Sequence, residues 1–162
     1  MRSVVFSFAI TLAVCVIGSH EVHSQVVPPG GQPLPVEVEF DAKALLNDIV
    51  AEQGSTSETV PYNAPQKLTY DCKITVTNNT ATPKTFRLTW QLRHGNEEGF
   101  IYFKTITVPA NTTAFPEECT LNKPNATSEW TGSAKVVEMV DNVAGDEWGI
   151  HTYTFVENPT IP

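Results

Sequence analysis

Residues 68–77 read LTYDCKITVT: Leu68, Tyr70, Cys72, Ile74 and Val76 take every second place, and Thr69, Asp71, Lys73, Thr75 and Thr77 fill the places between. Successive side chains of an extended chain point to opposite faces, so this stretch is a strand with one face in a core and one in water. The period returns at 86–93, where Phe86, Leu88, Trp90 and Leu92 alternate with Arg87, Thr89, Gln91 and Arg93. Strands that hide one face form antiparallel sheets, and such a sheet needs a second layer to cover its apolar side.

Working outward, Val36, Val38 and Phe40 alternate with Glu37 and Glu39, which predicts a further strand. Asp41 then stands where a helix cap would. Ala42, Leu45, Leu46 and Ile49 follow at helical spacing before Gly54, so a short helix is expected there. Downstream, HGNEEG at 94–99 reads as a hairpin-type turn, and FIYFKTITV at 100–108 is apolar on both faces at its start, which predicts a central strand. The strand bearing Cys119 contains Pro116, which has no N–H for a ladder and argues for an edge or a bulge. Residues 122–129, NKPNATSE, read as a loop. Strands near 134–140 and 148–156 flank DNVAGDE at 141–147, a turn by composition.

The expected fold is mainly β: a single antiparallel β-sandwich with about seven strands and one short N-terminal helix. A small closed barrel satisfies the same pattern. In order along the chain, Cys72, Trp90 and Cys119 resemble the Cys, Trp, Cys series of immunoglobulin domains. The tyrosine that stands two places before the second cysteine in that family is Glu117 here, and the Tyr-x-Cys is Tyr70-Asp71-Cys72. The resemblance is therefore one of immunoglobulin-like architecture, not of family membership.

The chain opens with Arg2, an apolar run of about 14 residues from Val4 to Ile17, and polar residues to Ser24. This is the order of a secretory signal peptide, and the run is shorter than the roughly 20 residues that cross a bilayer. Residues 1–24 are thus expected to be removed on secretion, with no membrane anchor. Residues 25–35, QVVPPGGQPLP, read as an extended flexible arm, 36–158 as the sandwich domain and 159–162 as a tail. Cys15 falls in the leader, so Cys72 and Cys119 are expected to form one disulfide in an oxidising compartment. Closing a loop of about 48 residues is worth roughly 4 kcal/mol in the chain-entropy model, and the wide spacing suits a bridge between sheets. Asn78, Asn111 and Asn125 head sequons on expected turns, which makes them candidate glycosylation sites.

A formal charge of −8 disfavours nucleic acid and anionic lipid as partners. No nucleophile-elbow, zinc-helix or phosphate-loop motif occurs, and His94 and His151 are the only histidines after the leader. Neighbouring carboxylates such as Glu97-Glu98 and Glu117-Glu118 point to opposite faces when on a strand, which disfavours an acid and base pair. Asp141, Asp146 and Glu147 are of the type Ca²⁺ prefers but lack the alternate-position spacing of a calcium loop. No catalytic residue, metal or cofactor is expected. The expected function is a secreted, non-catalytic extracellular protein-binding module, such as an effector or immunomodulator that engages a receptor or cytokine. The alternatives are a structural, matrix or adhesion protein, or a small carbohydrate-, lipid- or membrane-binding sandwich. The turns without sequons carry Glu97, Glu98, Asp146, Glu147 and Trp148, the candidate contacts for a partner with a basic surface.

Overall fold

The computed structural model describes residues 32–159, apart from residue 55 and residues 96–98. The expected leader, most of the arm and the end of the tail lie outside these. Ten strands follow in order: β1 (Val36–Leu46), β2 (Ile49–Gly54), β3 (Glu58–Tyr62), β4 (Gln66–Asn78), β5 (Lys84–Arg93), β6 (Phe100–Val108), β7 (Thr112–Thr113), β8 (Glu117–Ala126), β9 (Trp130–Val140) and β10 (Val143–Glu157). They build two five-stranded sheets. In the first, β2, β1 and β4 lie side by side, and β7 and β8 pair in turn along the far side of β4. In the second the order is β3, β10, β9, β5, β6. Every pairing is antiparallel except β3 with β10, which is parallel, so the expectation of a wholly antiparallel sandwich is corrected there.

The two apolar faces meet in one core. Phe40, Ala42, Ala44, Leu68, Tyr70, Cys72, Ile74 and Val76 come from the first sheet, and Phe86, Leu88, Trp90, Leu92, Ala134, Val136, Tyr153 and Phe155 from the second. Each fully buried large side chain contributes about 1.5–3 kcal/mol over its exposed state. Polar atoms in this layer are paired across it: the Trp90 indole Nε1 donates to the Cys72 carbonyl at 2.9 Å, and Tyr70 Oη lies 3.0 Å from His151 Nδ1. At Gly132 an added Cβ would stand 2.5 Å from the Tyr70 ring, so only glycine lets β9 pass this close to β4.

The expected helix over 42–54 is not present. β1 runs on to Leu46, pairing with β4 from Val36 opposite Asn78 to Leu46 opposite Leu68. Asn47 and Asp48 then turn the chain with φ of 50° and 67°, and β2 returns beside β1. A two-residue hairpin turn needs positive φ at both centres, and Asn and Asp tolerate it best among residues with a Cβ. The period of two through Phe40, Ala42 and Ala44 decides against the helical spacing of Leu45, Leu46 and Ile49, because it lets the whole strand pair with β4. Asp141 and Asn142 form a second such turn, with φ of 52° and 63°. The turn is thus shorter than DNVAGDE. Val143 to Glu147 already belong to β10, which is irregular against β9 between Ala144 and Gly149.

β6 is an edge strand, not the central one expected. Phe100, Ile101, Tyr102 and Phe103 remain 47, 60, 47 and 63% exposed. A strand apolar on both faces is the mark either of burial between layers or of an uncovered apolar edge, and only the sheet order separates the two.

Candidate functional site

The outer face of the second sheet carries a shaped surface. Sheet register sets its side chains in rows: Thr105, Arg87, Val137 and Glu147; then Phe103, Thr89, Lys135 and Ile150; then Ile101, Gln91, Ser133 and Thr152; then Arg93, Thr131 and Thr154. The twist of the sheet makes these rows a shallow concavity of about 610 Å³. Its floor is threonine, serine and glutamine. Ile101, Phe103 and Ile150 give it apolar contact, and Arg87, Arg93 and Lys135 give it positive charge.

That charge runs against the balance of the chain, which is −8. The one carboxylate in these rows is Glu147, whose Oε2 lies 3.9 Å from Lys135 Nζ while its Oε1 has no partner. Arg93 Nε donates to the Gly95 carbonyl at 3.1 Å, which holds its head at the hairpin end of the face. Arg87 takes part in none of the ion pairs among the described residues. The face is open: Arg87, Arg93 and Lys135 stand over its polar floor, with Ile101 and Phe103 on the β6 side and Ile150 on the β10 side.

The residues expected to bind a partner are scattered. Glu97 and Glu98 lie outside the described residues. Asp146 is exposed on β10, and Glu147 joins the outer face as described. Trp148 packs against the core instead of standing free, and its Nε1 donates to Glu138 Oε2 at 3.0 Å. Glu138 is itself held by Lys84, so the indole closes one end of the sandwich.

Asn78 was expected on a solvent-facing turn and is instead the last residue of β4, wholly buried. Its Nδ2 donates to the carbonyls of Thr82, Val108 and Pro109, and its Oδ1 accepts from the Thr80 N–H and hydroxyl. An amide so engaged has no room for a sugar in this fold. Asn111 and Asn125, with φ of 51° and 50°, are exposed.

Cys72 and Cys119 face each other directly across β4 and β8, in one sheet and not between two. Their sulfurs are unbonded in the structure. Burial pushes the Cys72 thiol up to about 12, and burial also raises that of Cys119, so neither is a ready nucleophile at neutral pH.

His151 is buried beside Tyr70 and Tyr153, with its Nε2 unpartnered. Burial lowers its pKa, offset in part by the Thr56 backbone and the charge of Glu58. It is a wholly buried core histidine. His94, at the other end, packs on Trp130 at 5.5 Å and binds the Glu129 carbonyl through Nδ1. Among the described residues no group of three or more His, Cys, Asp and Glu is placed to hold a metal ion, and no helix is long and apolar enough to cross a membrane.

Sequence reasoning had Arg87, Thr89, Gln91 and Arg93 as a polar strand face but no means of joining them to Lys135 and Ile150, because that needs the order β10, β9, β5, β6. The chain matches no protein-family model and no curated protein.

Proposed function

We propose that this chain is a secreted, non-catalytic module that binds another extracellular protein through the outer face of the second sheet. The observation that carries the reading is the cationic, partly apolar concavity formed by Arg87, Arg93, Lys135, Ile101, Phe103 and Ile150 on a chain of net charge −8. Facing surfaces associate best when their potentials are complementary, and this cationic patch on an acidic chain is complementary to an acidic partner surface. On this reading the partner presents carboxylates and apolar side chains at this face, where the expectation from the acidic turns was a basic surface.

Secretion rests on the leader-like residues 1–24. In that compartment Cys72 and Cys119, already opposed in register, join as one cross-strand bond, and Asn111 and Asn125 carry the glycans. An immunoglobulin-like architecture is supported by the two packed sheets and by Trp90 on β5 reaching the Cys72 backbone on β4 across the core.

The test is affinity capture from extracellular fluid with three forms of the secreted protein: the parent, Arg87→Glu with Lys135→Glu, and Asp146→Asn with Glu147→Gln. Mass spectrometry should find a species retained by the parent and the last form and absent from the charge-reversed one, and raising salt should release it. Equal retention by all three forms removes the face from consideration.

A further inference from the structure

We infer that β6 is a self-association edge: two copies of this chain pair their β6 strands antiparallel about a twofold axis, joining two five-stranded sheets into one continuous sheet. The inference goes beyond the partner reading: it rests on the free edge of β6, and it shares Ile101 and Phe103 with the concavity.

The five strands at the sheet margins differ in how they are protected, and β7 is only two residues long. β3 is five residues long and contains Pro61. β2 is six residues long and is thrown out of register with β1 between Ala44 and Leu45. β8 carries Glu117, Glu118, Lys123 and Pro124. Short length, irregular register, proline and charge are the devices by which natural sheets stop their edges from pairing with other chains. β6 has none of them over Phe100 to Phe103: its nine residues pair with β5 without a break, from Lys84 opposite Val108 to Leu92 opposite Phe100.

The single charge at this part of β6, Lys104, is neutralised by Glu117, whose Oε2 lies 2.7 Å from Lys104 Nζ. That makes Phe100 to Phe103 an uncharged stretch of margin on a chain of net −8, and two like-charged copies meet most easily where the neighbouring carboxylate, Glu117, is already paired with a lysine. The apolar residues then find one another. With the twofold axis at Tyr102, Ile101 of each copy lies beside Phe103 of the other on the outer face, and the two Tyr102 rings meet on the inner side, where each already packs on its own Trp90 at 5.7 Å.

Area sets the strength. Side chains of this size, about half exposed, offer roughly 100 Å² each, so the four supply roughly 400 Å² per copy. A standard stable interface buries about 800 Å² per partner, which makes this a reversible dimer that forms with concentration and not an obligate one.

The experiment is sedimentation of the secreted protein from about 5 to about 500 µM chain, the range a weak dimer spans, at low and high salt. The expected result is a weight-average mass that rises toward twice the monomer, and rises no less at high salt, because screening relieves repulsion between two acidic copies. Ile101→Lys and Phe103→Lys, each on the exposed face, should remain monomers with the parent's melting temperature. Amide exchange across 100–104 should slow in the parent as concentration increases, a reading that needs no variant. A parent that stays monomeric throughout overturns the inference, and so do variants that associate like the parent or exchange at 100–104 that ignores concentration. Association that high salt dissolves is also against it, since that is the behaviour of charge pairing on the concave face.

Discussion

The two faces of β5 carry opposite duties on one backbone. Phe86, Leu88, Trp90 and Leu92 are wholly buried against the first sheet, whereas Arg87, Thr89, Gln91 and Arg93, each one residue away, line the outer concavity. Stability and recognition are thus separated by the period of a strand, and substitutions at adjacent positions should report different properties. The largest expected effect is on the inner side. Trp90→Ala removes the largest of the fully buried side chains together with the donor to the Cys72 carbonyl. A loss of about 3–5 kcal/mol in urea unfolding is expected. A loss below about 1 kcal/mol would mean that the two sheets close over the gap, and the contrast between faces would fail.

Asn78 sharpens the same contrast at the end of β4, because its sequon predicts a solvent-facing amide and the fold gives a buried one. Asn78→Ala removes the amide donor to the carbonyls of Val108 and Pro109 and one of the two donors to that of Thr82, which keeps the Thr80 hydroxyl. The expected cost is about 2–3 kcal/mol, measured by the same unfolding titration. Glycan mapping of the secreted protein should find sugar on Asn111 or Asn125 and none on Asn78. Occupancy at Asn78 would show that β4 ends differently from the geometry described.

A smaller effect lies at His151, where the inner face holds a titratable ring. Its folded pKa lies below the ordinary 6.5 because the imidazolium is disfavoured by burial. Above about pH 6.5 the ring is neutral in both states; as pH falls, the unfolded chain takes up the proton first, so stability declines until the folded pKa is passed and then levels. The slope attributable to this group is at most about 1.4 kcal/mol per pH unit. Urea unfolding of the parent and of His151→Gln between about pH 5.5 and 8 should show a pH dependence in the parent that the variant lacks. Parallel curves for the two proteins would remove His151 as the source of the pH dependence.

Much of this architecture was legible where one face of a strand is wet. Residues 68–77 and 86–93 are strands with the faces expected, save that Thr69 on the outer side is buried, because burial on one side imposes alternation directly on the sequence. What misled was local ambiguity. Leu45, Leu46 and Ile49 match helical spacing, yet the pairing of β1 with β4 is a contact across more than twenty residues that no window of sequence contains. The turn Asn47-Asp48 was the readable sign, and it has a twin in Asp141-Asn142. FIYF at 100–103 was read as buried on both sides because sheet order is invisible in a strand's own residues. For the same reason the concavity escaped notice: Arg87 and Lys135 belong to strands far apart in sequence and meet only through the order β9 beside β5. The acidic turns drew attention because charge and aromatics sit together in sequence there, but Trp148 spends its indole on Glu138.

The smallest expected effect belongs to the outer side of β5. Arg87 joins no ion pair among the described residues, so its guanidinium has no fixed partner to lose. Its stem is another matter, since Val137, its neighbour in the sheet, points outward and is yet only 7% exposed. Long arginine stems cover apolar surface while their heads stay in water. Arg87→Gln keeps most of that stem and should change unfolding free energy by less than about 0.5 kcal/mol. Arg87→Ala uncovers Val137 and should cost a few tenths of a kcal/mol more, on the order of 25 cal/mol for each Å² returned to water. Both variants should lose partner retention to a similar degree, because the charge is gone from each. That pattern, graded in stability and equal in binding, is what a residue with a structural stem and a recognising head must give. If Arg87→Gln instead destabilises by more than about 1 kcal/mol, the guanidinium is part of the fold, and the outer face of β5 is no freer than the inner one.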